Sequence, residues 1–249
     1  MEILKTSNDK TKRVADLLPQ VTEKLKECHG ENLVSLILFG SAAEDRLRDT
    51  SDVNLLIILK SFQENEVDNS REVLRVAKAA IDLSVMYLLE SELILASEAF
   101  AVKFQDIRRR HVVLHGSHLL EKIQVSQDVI IHRLKQVLLN MTLRMRERYV
   151  LVGQREDQLQ NIIAEFAGPL RSAAAEIIFL KEKKPIDPKS ALLLLVQSFK
   201  SSPSLDYEQT LKNISICRER GTLPPGESSK TILSMITLAM HMHSELGNL

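Results

Sequence analysis

The spacing of hydrophobic residues changes several times in the first half of the chain. Helical spacing over 11–29 predicts an amphipathic opening helix that ends near Gly30. Two short apolar runs at 33–39 and 53–59 then predict buried strands. The polar stretch 42–51 separates them, and its Ser, Thr and Asp residues are typical of a turn. This part of the chain is therefore predicted to contain a helix followed by two strands.

Helices and strands continue to alternate up to Gly116. Helical spacing returns over 70–83, and 85–89 is predicted to form a third short strand. The stretch 100–107 alternates between apolar and polar residues, which predicts a further strand. Such alternation is typical of an α/β or α+β domain.

From Ser126 onward the apolar period is 3.6 residues. One stripe over 130–149 and a second over 159–178 predict two long helices, with a kink or short break expected at Gly168-Pro169. Shorter helices are predicted at 190–199, 207–218 and 230–246. We therefore predict an α+β fold: an N-terminal mixed sheet with helices over 1–117, followed by an all-helical bundle over 118–249.

Composition narrows the class of protein. The chain has 249 residues, of which 44% are hydrophobic and 27% charged, which excludes collagen-like and disordered proteins. Aromatic residues make up only 4% and Trp is absent, so the core must consist mostly of aliphatic side chains. Cys28 and Cys217 follow no metal-binding or redox spacing, which predicts reduced thiols and a cytoplasmic location. No apolar stretch reaches the ~20 residues of a membrane span, so no membrane association is expected.

The charge balance argues against nucleic acid as a partner. Lys and Arg number 33, as do Asp and Glu, so the formal net charge is zero. A strongly basic surface is the usual electrostatic signature of nucleic-acid binding. The zero net charge therefore favours a ligand other than nucleic acid.

One segment carries residues suited to phosphate and metal chemistry. The first predicted strand ends at Gly40-Ser41, and the second is preceded by Asp52 and contains Asn54. A Gly-Ser turn lets backbone N–H groups and a hydroxyl approach a phosphate closely. Residues 52 and 54 lie on one face of a strand, about 6–7 Å apart, a spacing at which two acids can share divalent metals. The pattern predicts a nucleoside triphosphate and magnesium site in which an amide replaces one acid.

The stretches Leu38-Phe39-Gly40-Ser41 and Ser51-Asp52-Val53-Asn54-Leu55-Leu56 resemble the polymerase-beta-like nucleotidyltransferase superfamily. In that family a Gly-Ser pair after a strand precedes an Asp-hydrophobic-Asp motif, and a third acid lies on a later strand. The arrangement is similar to the kanamycin-nucleotidyltransferase-like branch, in which a helical domain follows the catalytic one. The resemblance implies transfer of a nucleoside monophosphate from a triphosphate to a hydroxyl acceptor, with Mg²⁺ or Mn²⁺ as cofactor.

The resemblance also assigns residue roles and exposes departures from the pattern. Gly40 and Ser41 would bind phosphates, and Asp52 and Asn54 would bind metal, with Asn54 in place of the second acid. In our alignment the third acid falls on Lys103. An amide brings no negative charge, and a charged ammonium cannot act as base or metal ligand.

Two neighbouring acids are alternatives for the third role. Asp82 lies in Ile81-Asp82-Leu83-Ser84, similar to the hydrophobic-acid-hydrophobic pattern of minimal family members, but it would need a strand where a helix end is predicted. Asp106 would face away from Lys103 on a regular strand. A further hypothesis is that Lys103 reaches Asp52 and replaces the missing cation.

The second half offers fewer candidates. Arg171 either contacts the nucleotide phosphates from the helical domain or pairs with Glu165 or Glu176 inside the bundle. Two alternatives to catalysis stay open: a catalytically inactive protein that binds nucleotide or a protein partner, and a toxin-antitoxin or other complex component that uses the helix at 230–246 as its surface. A homodimer is compatible with either, and an inactive protein would need no cofactor.

Overall fold

The computed structural model describes two compact units. It covers residues 9–44, 46–47, 51–199, 207–219, 221–247 and 249. The first unit ends at Val125 and the second begins at Ser126. The predicted domain boundary after residue 117 stays a prediction.

The first unit combines four strands with four α-helices among the described residues. The helices are α1 (Asp9–His29), α2 (Glu64–Ile81), α3 (Leu93–Ala99) and α4 (Ala101–Arg109). The strands are β1 (Leu33–Phe39), β2 (Val53–Leu59), β3 (Leu83–Leu89) and β4 (His111–Gly116). A short 3-10 helix, Gly40–Glu44, follows β1 directly. The predicted polar turn is described only in part, because residues 45 and 48–50 lie outside the described residues.

The four strands form one mixed sheet in the order β3-β2-β1-β4. β2 and β3 run parallel, whereas β1 is antiparallel to both β2 and β4. Alternate residues of β1 face opposite cores: Leu36 packs with α1 and α2, and Ile37 packs with α3 and α4. Burial on both faces explains why β1 and β2 read as continuous apolar runs. The predicted mixed sheet with helices is confirmed.

The prediction of a strand over 100–107 is wrong. This stretch lies in α4, where Ala101, Phe104 and Ile107 are buried. Those positions recur every three residues, which fits a helix better than a strand. Four or five apolar residues in a short segment fit both periods, and the packing of Phe104 and Ile107 against the sheet selects the helix.

The second unit contains helices only, in the part of it that the structure describes. They are α5 (Gln127–Val152), α6 (Glu156–Glu182), α7 (Pro188–Ser198), α8 (Tyr207–Arg218) and α9 (Glu227–Glu245). The predicted helical bundle is confirmed. Of the two expectations at Gly168-Pro169, the short break is wrong, because α6 runs through Pro169 without interruption, and the kink stays a prediction. Among the described residues, no helix combines the length and apolarity needed to cross a membrane.

Candidate functional site

Several chain segments meet at one edge of the sheet. β1 ends there, while β2, β3 and β4 begin there. Phe39 at the end of β1 pairs with Asn54 on one side and with His111 on the other. Val53 at the start of β2 pairs with Leu83 at the start of β3. This strand register brings together the residues just outside the strands, which are separated along the chain.

Gly40 makes the sharp turn at this edge. Its φ is +81°, a conformation that glycine adopts without strain. A Cβ at this position would lie 3.6 Å from the side-chain nitrogen of Asn54, so the turn approaches β2 closely. The next residue, Ser41, is half-buried and accepts the backbone N–H of Arg46 at 3.0 Å.

Asp52 and Asn54 lie beside that turn. The side chain of Asp52 is exposed, whereas Asn54 is half-buried. Asn54 Nδ2 donates to the backbone oxygen of Asp52 at 3.3 Å. This hydrogen bond uses the amide nitrogen of Asn54 and not its oxygen. The exposed Asp52 carboxylate and the remaining Asn54 amide oxygen are both oxygen donors, the type that Mg²⁺ prefers.

Asp82 ends α2 immediately before β3. Its φ is 52°, in the left-handed region, and its backbone oxygen accepts the N–H of Val53 at 3.3 Å. Asp82 thus lies on a helix end and not on a strand, next to Asp52 in the adjacent segment. Its carboxylate is 65% exposed and lies 2.5 Å from the ammonium of Lys10, whose side chain is only 3% exposed.

A second ion-pair network holds the Gly40–Glu44 segment from the other side. Arg110 lies between α4 and β4; its Nε donates to Asp106 Oδ1 at 2.9 Å and its Nη1 to Glu44 Oε2 at 3.4 Å. A further Arg110 nitrogen, Nη2, donates to the second carboxylate oxygen of Asp106. Burial alone would lower the pKa of Arg110, but the hydrogen bonds and charges of Asp106 and Glu44 raise it above its usual value.

Comparison with known proteins finds a family match within the first unit. Residues 18–113, which include the turn, both central strands and half of β4, match the family model described as a nucleotidyltransferase domain. The match lies within the first unit and fits the predicted resemblance to the polymerase-beta-like superfamily. We refer to the matched region as the nucleotidyltransferase domain.

Individual relatives resemble the chain at lower levels. A Methanocaldococcus jannaschii protein, provisionally named a protein adenylyltransferase, is 38% identical over 60 residues, which cover 24% of this chain and 41% of that relative's length. The spectinomycin adenyltransferase of Enterococcus faecialis, solved with ATP and spectinomycin, superposes with a TM-score of 0.58 at 13% identity. That match covers 94% of this chain and 99% of the other, and at this identity it establishes the fold alone.

The position that aligns with the third acid, Lys103, has a different secondary structure from the one predicted. It is on helix α4 and not on a strand, and its ammonium lies 5.9 Å from the ring centroid of Phe39. Among the described residues no ion pair joins it to Asp52, so the hypothesis that Lys103 replaces a cation there gains no support. Asp106 is on the same helix with its carboxylate engaged by Arg110, so the roles of both residues stay predictions.

The donor set of the domain fits a single divalent cation. Within the described part of the chain, no group of three or more His, Cys, Asp and Glu side chains could hold a metal ion. Asp52 and Asn54 alone are too few ligands for a metal held by protein only. Mg²⁺ is commonly held by one or two carboxylates together with substrate phosphates, and this arrangement suits the edge described above.

Sequence reasoning missed Lys10 and Glu44 as members of the site. A signal for Lys10 was present, because it precedes Val14, Leu18, Val21 and Leu25 on the apolar face of α1. A lysine at an apolar helical position needs a buried or partly buried partner. Glu44 carried no such signal, because its partner Arg110 is known only from the fold.

Arg171 belongs to the second unit. It is buried on α6, with 6% of its surface exposed, and donates to Ser215 Oγ on α8 at 2.9 Å. Glu165, one of its predicted partners, is instead paired with Arg148 of α5. The predicted phosphate contact of Arg171 stays a prediction.

Proposed function

We propose that the nucleotidyltransferase domain binds a nucleoside triphosphate with one divalent cation at the sheet edge formed by Gly40, Ser41, Asp52 and Asn54. The observation that carries the proposal is the close approach of the Gly40 turn to Asn54, whose amide nitrogen also donates to the backbone oxygen of the exposed acid Asp52. A backbone turn free of side-chain bulk admits phosphate oxygens, and the neighbouring oxygen donors suit a cation bound to those phosphates.

In this proposal the domain transfers a nucleoside monophosphate to a hydroxyl acceptor. The acceptor oxygen forms a bond to the α-phosphorus, the bond to the bridging oxygen breaks, and pyrophosphate leaves. Mg²⁺ or Mn²⁺, when bound, would neutralise charge on the phosphates. Gly40 and Ser41 hold the phosphates in place, and Asp52 and Asn54 are the residues that would hold the cation. Asp82, exposed beside Asp52, is the residue we assign to accept the hydroxyl proton.

The relatives support an adenylyl group as the transferred nucleotide. One is provisionally named a protein adenylyltransferase, and another was solved with ATP. These names describe those proteins, and the chain spans less than half of the first one's length. ATP is therefore the first triphosphate to test, and the acceptor is left at the level of a hydroxyl group.

A second candidate function is nucleotide binding without transfer. Asn54 and the pairing of Asp82 with Lys10 favour it, because both reduce the negative charge available for a second cation and a base. An inactive domain of this kind would bind a partner protein differently when nucleotide is bound. Binding experiments alone support both candidates, and turnover separates them.

Calorimetric titration tests the proposal directly. We expect ATP or another triphosphate to bind only with Mg²⁺ or Mn²⁺, and the Asp52→Ala variant to lose this binding. Asp68→Ala is a matched control, because Asp68 is a half-exposed acid on α2 that pairs only locally with Arg71 among the described residues. Absence of binding for every triphosphate, with or without metal, would contradict the proposal.

Turnover is then measured as pyrophosphate release. Release that depends on Asp52 and Asp82 and on an added hydroxyl compound or protein supports transfer. Nucleotide binding that depends on Asp52, with no release for any acceptor, supports the second candidate instead.

A further inference from the structure

A buried ammonium group lies at the same sheet edge as the proposed nucleotide site. It belongs to Lys10, in the first turn of α1, whose side chain is 3% exposed. Its Nζ lies 2.5 Å from a carboxylate oxygen of Asp82, which is 72 residues further along the chain. A lysine is rarely buried to this degree unless it is paired with an acid, so this contact accounts for its position.

The contact places positive charge next to the metal-binding residues. The backbone oxygen of Asp82 accepts the backbone N–H of Val53, the residue after Asp52. Val53 and Leu83 are partners in the parallel pair β2 and β3, and neighbouring strands lie about 4.8 Å apart. Asp82, which is paired with Lys10, and Asp52 therefore lie directly before two adjacent strands, at the same edge of the sheet.

The charges at this edge differ from those of a site built from three acids. The sequence has an amide at Asn54, so the carboxylates directly before the adjacent strands β2 and β3 are those of Asp52 and Asp82. Lys10 neutralises one of them with a charge that cannot dissociate from the protein as a metal ion can. A cation held near Asp82 would be repelled by this ammonium at short range.

We propose that Lys10 is the resident cation of the site: it replaces one divalent ion and positions Asp82, so that the nucleotide complex holds a single divalent ion, at Asp52. This inference rests on the proposed function, because it concerns the metal content of the same site. It explains why Asn54 is sufficient beside Asp52, since a site for one ion needs fewer carboxylates.

The test is a count of bound Mn²⁺ by electron paramagnetic resonance, which detects free Mn²⁺, in the presence of a non-hydrolysable ATP analogue. The wild-type chain is expected to hold one ion per nucleotide complex. Lys10→Met, which keeps most of the length of the side chain and removes its charge, is expected to bind a second ion or to bind Mn²⁺ roughly tenfold more tightly. Lys10→Arg keeps the charge and should retain the wild-type count.

Lys12→Met is the control for charge removal alone. Lys12 is exposed and lies two residues from Lys10 on α1. The Lys12→Met substitution should leave both the ion count and the Mn²⁺ affinity unchanged. Two ions in the wild-type complex would overturn the inference, as would a Lys10→Met variant that folds and binds nucleotide with unchanged Mn²⁺ binding.

The outcomes separate this inference from the proposed function. If the wild-type chain binds no nucleotide, the proposed function fails first. If nucleotide binds through Asp52 and two ions bind with it, only the role of Lys10 fails. The wild-type count remains decisive should Lys10→Met fail to fold.

Discussion

The backbone N–H of Gly40 donates to the carbonyl oxygen of Arg110 at 2.9 Å. The side chain of the same arginine reaches Glu44, the last residue of the short 3-10 helix that Gly40 begins. One residue therefore holds both ends of the turn that we assign to phosphate binding. A turn fixed in this way loses little conformational entropy when a ligand binds, which favours affinity.

Replacing Gly40 by alanine should weaken nucleotide binding. The space beside it accepts a Cβ, but an L-residue at φ +81° is strained by about 1–2 kcal/mol. Relief of that strain moves the turn away from Asn54. We expect the Kd for ATP with Mn²⁺, measured by calorimetry, to rise roughly tenfold.

Gly30→Ala is the control for this change. Gly30 has φ +47° and no atom within 4 Å of a built Cβ, and it lies at the start of β1 instead of its end. It should reduce stability to a similar degree and leave nucleotide affinity unchanged. An equal loss of affinity in both variants would show that the effect of Gly40→Ala is global.

Gly116→Ala should destabilise the first unit much more than Gly30→Ala. A Cβ on Gly116 would lie 2.1 Å from the backbone oxygen of Val34, so the pairing of β1 with β4 must open. We expect a loss of at least about 3 kcal/mol in the free energy of unfolding, against about 1 kcal/mol for Gly30→Ala. Urea denaturation followed by circular dichroism measures both, and similar midpoints would contradict the predicted clash.

Removing Arg110 should destabilise the domain and loosen the phosphate turn. Arg110→Met leaves the Asp106 and Glu44 carboxylates without this partner, and we expect a loss of about 2–3 kcal/mol. Arg108→Met, in the last turn of the preceding helix α4, is the control and should stay within about 0.5 kcal/mol of wild type.

The effect of Arg110→Met should not depend on pH between 6 and 9. The pKa of Arg110 is raised in the folded protein, so its stabilising contribution is complete below the ordinary arginine pKa and is lost only as pH rises above it. Unfolding curves at both ends of this range check the sign. A difference between variants that shrinks from pH 6 to pH 9 would contradict it.

Asn54→Asp should increase metal binding. The substitution adds a carboxylate on the same face of the chain as Asp52, and we expect Mn²⁺ affinity of the nucleotide complex to rise about tenfold. Asn54→Ser, which adds no charge, should not raise it. Unchanged Mn²⁺ affinity in Asn54→Asp would show that residue 54 does not face the metal.

The two cysteines should differ in reactivity. Burial raises the pKa of the Cys217 thiol to about 11, and 6% of this residue is exposed, whereas Cys28 is half-buried. Because the thiolate is the reactive form, Cys217 should react slowly at pH 8. Titration with a disulfide reagent should therefore detect one fast thiol in the folded chain and two in denaturant; Cys28→Ser should remove the fast phase.

The sequence by itself determined the elements whose hydrophobic pattern is local and unambiguous. The opening helix, the runs that became β1 and β2 and the helices of the second unit follow directly from apolar spacing. Gly40, Asp52 and Asn54 also stand out, because a glycine after one strand and oxygen donors before the next form a motif of fixed spacing. These features depend on neighbours a few residues away, which the sequence displays.

Only the tertiary structure decided which distant side chains meet. The apolar residues of the short segment 100–107 fit both the helical and the strand period. Packing against the sheet selects the helix, so Lys103 lies on α4 and not on a strand. The pairing of Lys10 with Asp82 depends on how α1 packs beside the end of α2. The contact of Arg110 with Glu44 depends on β4 pairing with β1. Such contacts arise from strand register and helix packing over many residues, so no local pattern records them.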